Sequence, residues 1–251
     1  MRKNCYFISG ILILLSTIFI VYGMKDIHIK VASYNISSGT YVDLDFQKLA
    51  TEIKKCDADI IGLQEVAINS SRVNGLDTLK LLAKYSGYKY YKFCKTINIL
   101  DGEYGTAILS KYPIKSFEII DLPNVSGEEK RAISHAVIYK KSVRLNYFNT
   151  HINNRNVSLQ EAQFDKIAEV INVQDRVIMT GDFNYEKLDF FDKFNNVQVV
   201  NNEKYITYNP SKRKLDNIVC GQEFEIIDSG VFENIGNSDH SLLWAEIVFN
   251  R

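Results

Sequence analysis

Proline, tryptophan, cysteine and histidine are scarce: 3 Pro, 1 Trp, 4 Cys and 4 His in 251 residues. With so few prolines and no Pro/Gly/Ser-rich stretch, the sequence offers no obvious linker. One large domain is therefore expected, since α/β and all-β folds often reach about 250 residues as one unit. An excess of one charge is missing too. The 30 Lys+Arg balance 30 Asp+Glu, giving a formal net charge of +0, which argues against a histone-like protein or a general polyanion binder. A hydrophobic share of 46% excludes a disordered chain. The cysteines make no framework: Cys5 lies in an apolar run, which leaves the odd set Cys56, Cys94 and Cys220 without metal-type spacing. One pair could form outside the cell, but core thiols are expected for all three.

Long apolar runs are confined to the start. Arg2 and Lys3 precede an uncharged stretch from Cys5 to Met24, about twenty residues, which matches a bilayer's hydrocarbon core. The basic flank places the N-terminus in the cytoplasm and sends the remainder across the membrane. Residues 1–24 are thus read as a membrane anchor or a signal peptide, and both remain open because Val21-Tyr22-Gly23 is only an approximate cleavage site. Residues 25–251 form the expected extracytoplasmic domain, anchored in one case and secreted in the other.

Beyond Met24, nine segments read as strands: His28–Ile36, Asp59–Val66, Glu103–Ser110, Arg131–Tyr139, Val143–Ile152, Arg176–Asn184, Lys214–Cys220, Glu223–Phe232 and Ser241–Phe249. Phe46, Leu49, Ala50 and Ile53 recur at helical spacing, as do Phe164, Ile167, Ala168 and Ile171. Further helices are expected over Asp77–Tyr85 and Glu186–Phe194. Many strands, few helices and short turns such as Lys140-Lys141-Ser142 imply an α/β protein of two packed mixed sheets flanked by helices.

Polar signatures punctuate those strands. Four strands end on one: Tyr34-Asn35-Ile36, Gln64-Glu65-Val66, Asn149-Thr150-His151 and Gly181-Asp182-Phe183-Asn184. Leu215-Asp216-Asn217 and Ser238-Asp239-His240 instead precede apolar strands. If the second group runs antiparallel to the first, all six meet at one edge. Glu65, Asn35 and Asp239 then supply oxygen donors suited to Mg²⁺ or Mn²⁺. Two histidines near carboxylates, with Asp182 and Asn184 on a tight Gly181 turn, provide what phosphoester hydrolysis needs: proton removal from water, stabilisation of charge at phosphorus, and help to the leaving oxygen. Blander readings exist for each residue alone. Asn35 could end a strand, Tyr104 could be a core aromatic, His151 a satisfied buried imidazole, Asp182 a helix cap, and Arg131 a partner of Glu128 and Glu129. His28 lies outside every motif and is read as structural.

The ordered series Tyr34-Asn35-Ile36, Gln64-Glu65-Val66, Tyr104-Gly105, Lys130-Arg131-Ala132, Thr150-His151, Gly181-Asp182-Phe183-Asn184, Leu215-Asp216 and Ser238-Asp239-His240 resembles the endonuclease/exonuclease/phosphatase superfamily. Within it, Ala32–Gly39 and Ala58–Val66 are similar to a bacterial branch of metal-dependent hydrolases. The resemblance implies a deoxyribonuclease I-like four-layer sandwich and assigns roles. Glu65 is the main metal ligand, with Asn35 and Asp239 acting directly or through water. Asp182 orients or deprotonates the attacking water, while Asn184 positions that water and a phosphate oxygen. His240, oriented by Asp216, and His151 stabilise the transition state, and Tyr104 and Arg131 contact the phosphate or leaving group. Asn217-Ile218 departs from the family, which more often carries an aromatic there, and the longer signatures of the inositol phosphatases are absent.

The expected substrate is a phosphodiester, in nucleic acid or a phospholipid head group, and a monomer is expected. Lys212-Arg213-Lys214 with Tyr205 and Tyr208, together with Arg72 and Arg155, offers basic loops for nucleic acid. Tethering at a membrane favours lipid, although the sole tryptophan, Trp244, falls within a predicted core strand. A phosphomonoesterase and a catalytically silent binding domain on the same fold are the remaining alternatives; loss of a site residue would mark the latter, and none is missing.

Overall fold

A computed structural model describes residues 26–232 and 236–250; the expected anchor or signal segment lies outside the described residues. Among the described residues three α-helices form, each opened by a side-chain oxygen that accepts an otherwise orphaned N–H. Asp45 caps α1 (Phe46–Cys56), Asp77 caps α2 (Thr78–Ser86) and Asn156 caps α3 (Val157–Ile171). Helix α1 buries Phe46, Leu49, Ala50, Ile53 and Cys56, the face its spacing predicts. The helix expected over Glu186–Phe194 is instead a short 3₁₀ turn, Asp189–Lys193, whose Phe191 joins Phe183 and Phe164 in an aromatic cluster.

Twelve strands are described: β1 (Ile27–Asn35), β2 (Ile60–Ile68), β3 (Tyr90–Ile99), β4 (Gly102–Ser110), β5 (Ile114–Asp121), β6 (Ala132–Lys140), β7 (Val143–His151), β8 (Val177–Asp182), β9 (Val197–Val199), β10 (Asp216–Gly221), β11 (Phe224–Val231) and β12 (Leu243–Phe249). They make two six-stranded sheets, ordered β11-β12-β1-β2-β4-β3 and β5-β6-β7-β8-β10-β9. Both are mixed. Strand β1 runs parallel to β2, β7 parallel to β8, and the other pairings are antiparallel.

Three buried clusters separate four layers. Ile29, Val31, Ile60, Tyr147, Ile178 and Ile218 pack between the sheets. Leu49, Ile53, Leu63 and Leu82 seat α1 and α2 on the first sheet, and Phe148, Phe164, Ile167 and Met179 seat α3 on the second. Cys56, Cys94 and Cys220 are free and buried, with burial pushing the Cys56 and Cys220 thiols up to about 12 and Cys94 to about 11. Trp244 is only half-buried, with the Lys30 ammonium 4.5 Å from its ring.

The inter-sheet layer turns polar beneath the strand ends. Asn149 donates to the carbonyls of Leu63 and Ala107, at 3.0 Å each, and accepts from Gln64 Nε2 at 2.8 Å and Thr180 Oγ1 at 3.1 Å. The sheets approach so closely here that a Cβ on Gly62 would lie 2.1 Å from Thr180 Oγ1.

Candidate active site

Sheet register assembles the site. Asn35 pairs with Gln64 across β1 and β2, placing Glu65 beside it. His151 and Asp182 pair across β7 and β8, and Asp182 with Asp216 across β8 and β10. Because β12 is antiparallel to β1, the loop entering it delivers Asp239 and His240 to the same edge. A bulge aims Glu65: Leu63 faces Ala107 and Val66 faces Gly105, leaving Gln64 and Glu65 opposite Thr106 alone. Gln64 turns into the buried network, while Glu65, at φ 57, turns to the cavity. Ser37 and Ser38 also hold left-handed backbone, with φ 45 and 54. Ser37 Oγ donates to the Asp239 carboxylate and Ser38 Oγ to the Glu65 carbonyl. Strain of about 1–3 kcal/mol per such residue persists only where the surroundings enforce it, commonly at functional sites.

A cavity of about 210 Å³ is lined by Glu65, His151, Asp182, Asn184, Asp239 and His240 of the predicted set. Asp182 is its hub. Its Oδ2 accepts from Asn35 Nδ2 at 3.0 Å and lies 3.5 Å from His151 Nε2 and 3.6 Å from His240 Nε2, while its Oδ1 accepts from the Asn184 N–H at 2.9 Å. Burial, then the neighbouring Asp216, raises its carboxyl to about 7, against the opposing pull of His240 and the hydrogen bonds. His240 Nδ1 meets Asp216 Oδ2 at 2.7 Å. Burial alone would lower that imidazole, but Asp216 and then Asp182 outweigh it and lift the ring to about 10, so His240 is an imidazolium at neutral pH. His151 differs: burial, then the charges of Arg131 and His240, hold it well below the ordinary range, and it is neutral. Of the two histidines, only one is an imidazolium.

Several predicted residues sit behind the cavity. Asn35 is fully buried; its Oδ1 accepts from the Ser37 N–H at 3.0 Å, so its amide nitrogen is the group that reaches Glu65 at 3.1 Å and Asp182. Asn35 therefore bridges two carboxylates as a donor and does not turn its oxygen to a metal. Arg131, expected at the phosphate, is 5% exposed and occupied by Glu129 at 2.8 Å and His151 Nδ1 at 3.1 Å. Tyr104 packs in the core between the first sheet and its helices, its phenol held above the ordinary range by burial, then by Glu65 and Glu129. Neither Arg131 nor Tyr104 lines the cavity.

Asn154, Tyr208, Arg213 and Leu215 do line it and were not among the predicted site residues. The basic loop 212–214 with Tyr208 was the one signal for two of them. Tyr208 packs on His240 with ring centroids 5.0 Å apart, and Arg213 pairs with Glu186 at 3.0 Å. His28 is exposed on β1. The fourth histidine, His135, stacks on Phe148 and bonds Asn146 at 2.9 Å, outside the cavity.

The donor set fits a hard divalent cation. Glu65, Asp182 and Asp239 bring three carboxylates to a small cavity whose nearest compensating charge, His240, is shared with Asp216. Such a surface repels a phosphate until a cation is present. Asp182, Asp216 and His240 also lie close enough to hold an ion, their ligand atoms falling within 4.8 Å. Those atoms already serve the imidazolium and Asn35, so Glu65 and Asp239 are the more available ligands.

A comparison with curated proteins by sequence finds no match. Among solved structures, an endonuclease/exonuclease/phosphatase from Beutenbergia cavernae DSM 12333 superposes with a TM-score of 0.76 at 16% identity, over 89% of this chain and 72% of that one. A mannosyl-6-phosphatase from Bacteroides thetaiotaomicron VPI-5482 gives 0.68 at 18% identity, over 88% and 100%. D. rerio TDP2 complexed with a single-strand DNA product gives 0.70 at 16% identity, over 88% and 98%. These likenesses establish the fold. The family model for the Endonuclease/Exonuclease/phosphatase family matches residues 32–240, from β1 through His240, and on that match the chain belongs to this family of phosphoester hydrolases.

Proposed function

We propose that the protein is a Mg²⁺- or Mn²⁺-dependent phosphodiesterase that cleaves nucleic acid outside the cytoplasm. The observation that carries the reaction class is the acid–imidazolium cluster around Asp182, opening on a cavity lined by Glu65 and Asp239. Nucleic acid is supported by exposed or cavity-lining basic residues in a chain with no net charge. Arg213 lines the cavity, and exposed Arg72 and Arg155 stand near enough to act on Glu129. Similarity to TDP2, solved with a DNA product, points the same way. Location outside the cytoplasm, anchored or secreted, rests on the basic flank and apolar run of residues 2–24.

Glu65 and Asp239, supported by Asn35, would hold the cation, which neutralises charge on the phosphate and polarises its P–O bonds. Asp182, with a carboxyl near 7, accepts a proton from the attacking water, and the Asn35 and Asn184 N–H groups keep it oriented. The His240 imidazolium and the Nε2 edge of His151 face the charge that grows on the phosphoryl oxygens. Asn184 commits one amide hydrogen to the Ile152 carbonyl at 3.0 Å, leaving the other for substrate.

The small cavity favours a second reading, a phosphomonoesterase, in keeping with the similarity to a mannosyl-6-phosphatase. Nitrophenol release from a bis-aryl phosphate, with Mg²⁺, Mn²⁺ or EDTA, tests the first. Plasmid DNA, RNA, phospholipid and phosphomonoesters form the substrate panel. Turnover of monoesters alone would overturn the diesterase reading, and turnover indifferent to chelator would overturn the metal.

A further inference from the structure

We infer that Arg131 is a positioning residue: it fixes His151 as the Nε2–H tautomer, so that His151 serves as an uncharged hydrogen-bond donor to the phosphoryl oxygen. The inference deepens the site assignment above and rests on it. Arg131 precedes β6 and His151 ends β7, and the pairing of Ile133 with Thr150 brings the two side by side. Arg131 Nη1 stands 3.1 Å from His151 Nδ1, with both residues 5% exposed.

A guanidinium has five N–H donors, no acceptor, and does not lose its charge in proteins. The contact is therefore a hydrogen bond in one direction, with the Nδ1 lone pair as acceptor. The ring's proton is left on Nε2, the nitrogen that faces Asp182 Oδ2 at 3.5 Å. At that length the N–H is not consumed by the carboxylate and stays available to a substrate oxygen.

Glu129 holds Arg131 in place at 2.8 Å. The charged groups around His151 are Arg131, His240, Asp182 and, behind Arg131, Glu129. Two cations pressing on a buried ring oppose a second proton, which agrees with its depressed basicity. The two histidines thus divide the work: His240, between two carboxylates, brings charge, and His151, against a guanidinium, brings a fixed dipole. The cavity gains a second donor that carries no charge of its own.

Long-range ¹H–¹⁵N spectra of the full chain labelled at histidine nitrogens read the tautomer directly and need neither substrate nor metal. The expected wild-type spectrum has His151 with bare Nδ1 and protonated Nε2, its signals assigned by their loss in His151→Gln. A protonated Nδ1 overturns the inference even if the enzyme is fully active, whereas absence of turnover with the expected spectrum would count against the site reading alone. Arg131→Met should release the ring to a mixture of tautomers and lower kcat about 10–100-fold with KM little changed. Arg131→Lys, which also only donates, should restore the tautomer and most of the rate. If Arg131→Met raises KM and leaves kcat intact, Arg131 touches the phosphate and the positioning role is wrong. Should that variant fail to fold, the wild-type and Arg131→Lys spectra still decide.

Discussion

Replacing Asn149 with leucine tests whether the polar seam between the sheets is a structural necessity. The side chain is fully buried and makes four hydrogen bonds, two donated to the Leu63 and Ala107 carbonyls and two accepted from Gln64 Nε2 and Thr180 Oγ1. Thr180 can turn to the Tyr147 hydroxyl at 2.8 Å, and so loses little. Three groups lose a partner: the two carbonyls and one Gln64 N–H, whose alternative acceptor, the Gly62 carbonyl, stands at 3.4 Å. A carbonyl has a second lone pair, so each is counted at the low end of the orphan penalty, about 1 kcal/mol, and the amide at about 1–3. The sum is about 3–5 kcal/mol, a fifth or more of the stability of a typical domain, about 5–15 kcal/mol. In urea this is a midpoint lowered by about 1–2 M, followed by two probes to check for a single transition. Asn149→Asp keeps the shape but faces two carbonyls with acceptors, and should be worse than leucine. A loss below about 1 kcal/mol for leucine, or aspartate milder than leucine, would refute the reasoning.

Asp182→Asn should lower kcat about 10²–10⁴-fold, as loss of a general base does, while leaving the urea midpoint unchanged or higher, because it removes a buried charge; a large loss of stability would contradict this. In the metal-free protein, Asp182 and His240 should each lower stability as pH rises, while His151, buried and neutral, opposes them below about 6.5. Asp182 stands at about 7 against an ordinary 3.8, so its penalty is absent at low pH and complete above about 7. His240 stands at about 10 against 6.5, so its stabilisation is whole below 6.5 and lost as pH passes about 10. Thermal melts of the wild type and Asp182→Asn across pH 4–10 check the signs: the wild type should lose ground to the variant between about pH 4 and 7, and its melting temperature should fall toward pH 10; a gap that does not open in the acid half would defeat the Asp182 assignment, and no alkaline fall would defeat that of His240. Mg²⁺ or Mn²⁺ at about 100 times its Kd should stabilise the wild type by about 2.7 kcal/mol and EDTA should abolish turnover, with Glu65→Gln losing the metal-induced rise in Tm. An unchanged rise in that variant would remove Glu65 from the cation.

The nine segments read as strands are all strands, within a few residues at each end. The three that escaped, β3, β5 and β9, are edge strands, three of the four in the two sheets. An edge is half exposed, so β3 interleaves Lys92 and Lys95 with its apolar residues and β5 does the same with Lys115 and Glu118. Both lack the continuous run that marks a central strand. The site was legible wherever a polar signature ended or opened a buried strand, as at Glu65, Asp182 and His240. What the sequence could not carry was direction. It named Asn35 and Arg131, but which atom each presents depends on Ser37 and Glu129, whose positions relative to the site are fixed only by the fold. Tyr208, Arg213 and Asn154 come from loops without periodicity, and the bulge that turns Glu65 outward leaves no mark in its alternation.

Ser37 meets Asp239 across 202 positions of sequence, and Asn35 meets Asp182 across 147. The strand pairing Ile27 with Phe249 joins the two ends of the described domain. Closing such distant contacts is slow, so a nascent or refolding chain gains helices and hairpins well before it gains a working centre. No fragment lacking β12 can hold Asp239 and His240 in place, so the centre is not assembled until that strand has been made and paired with β1.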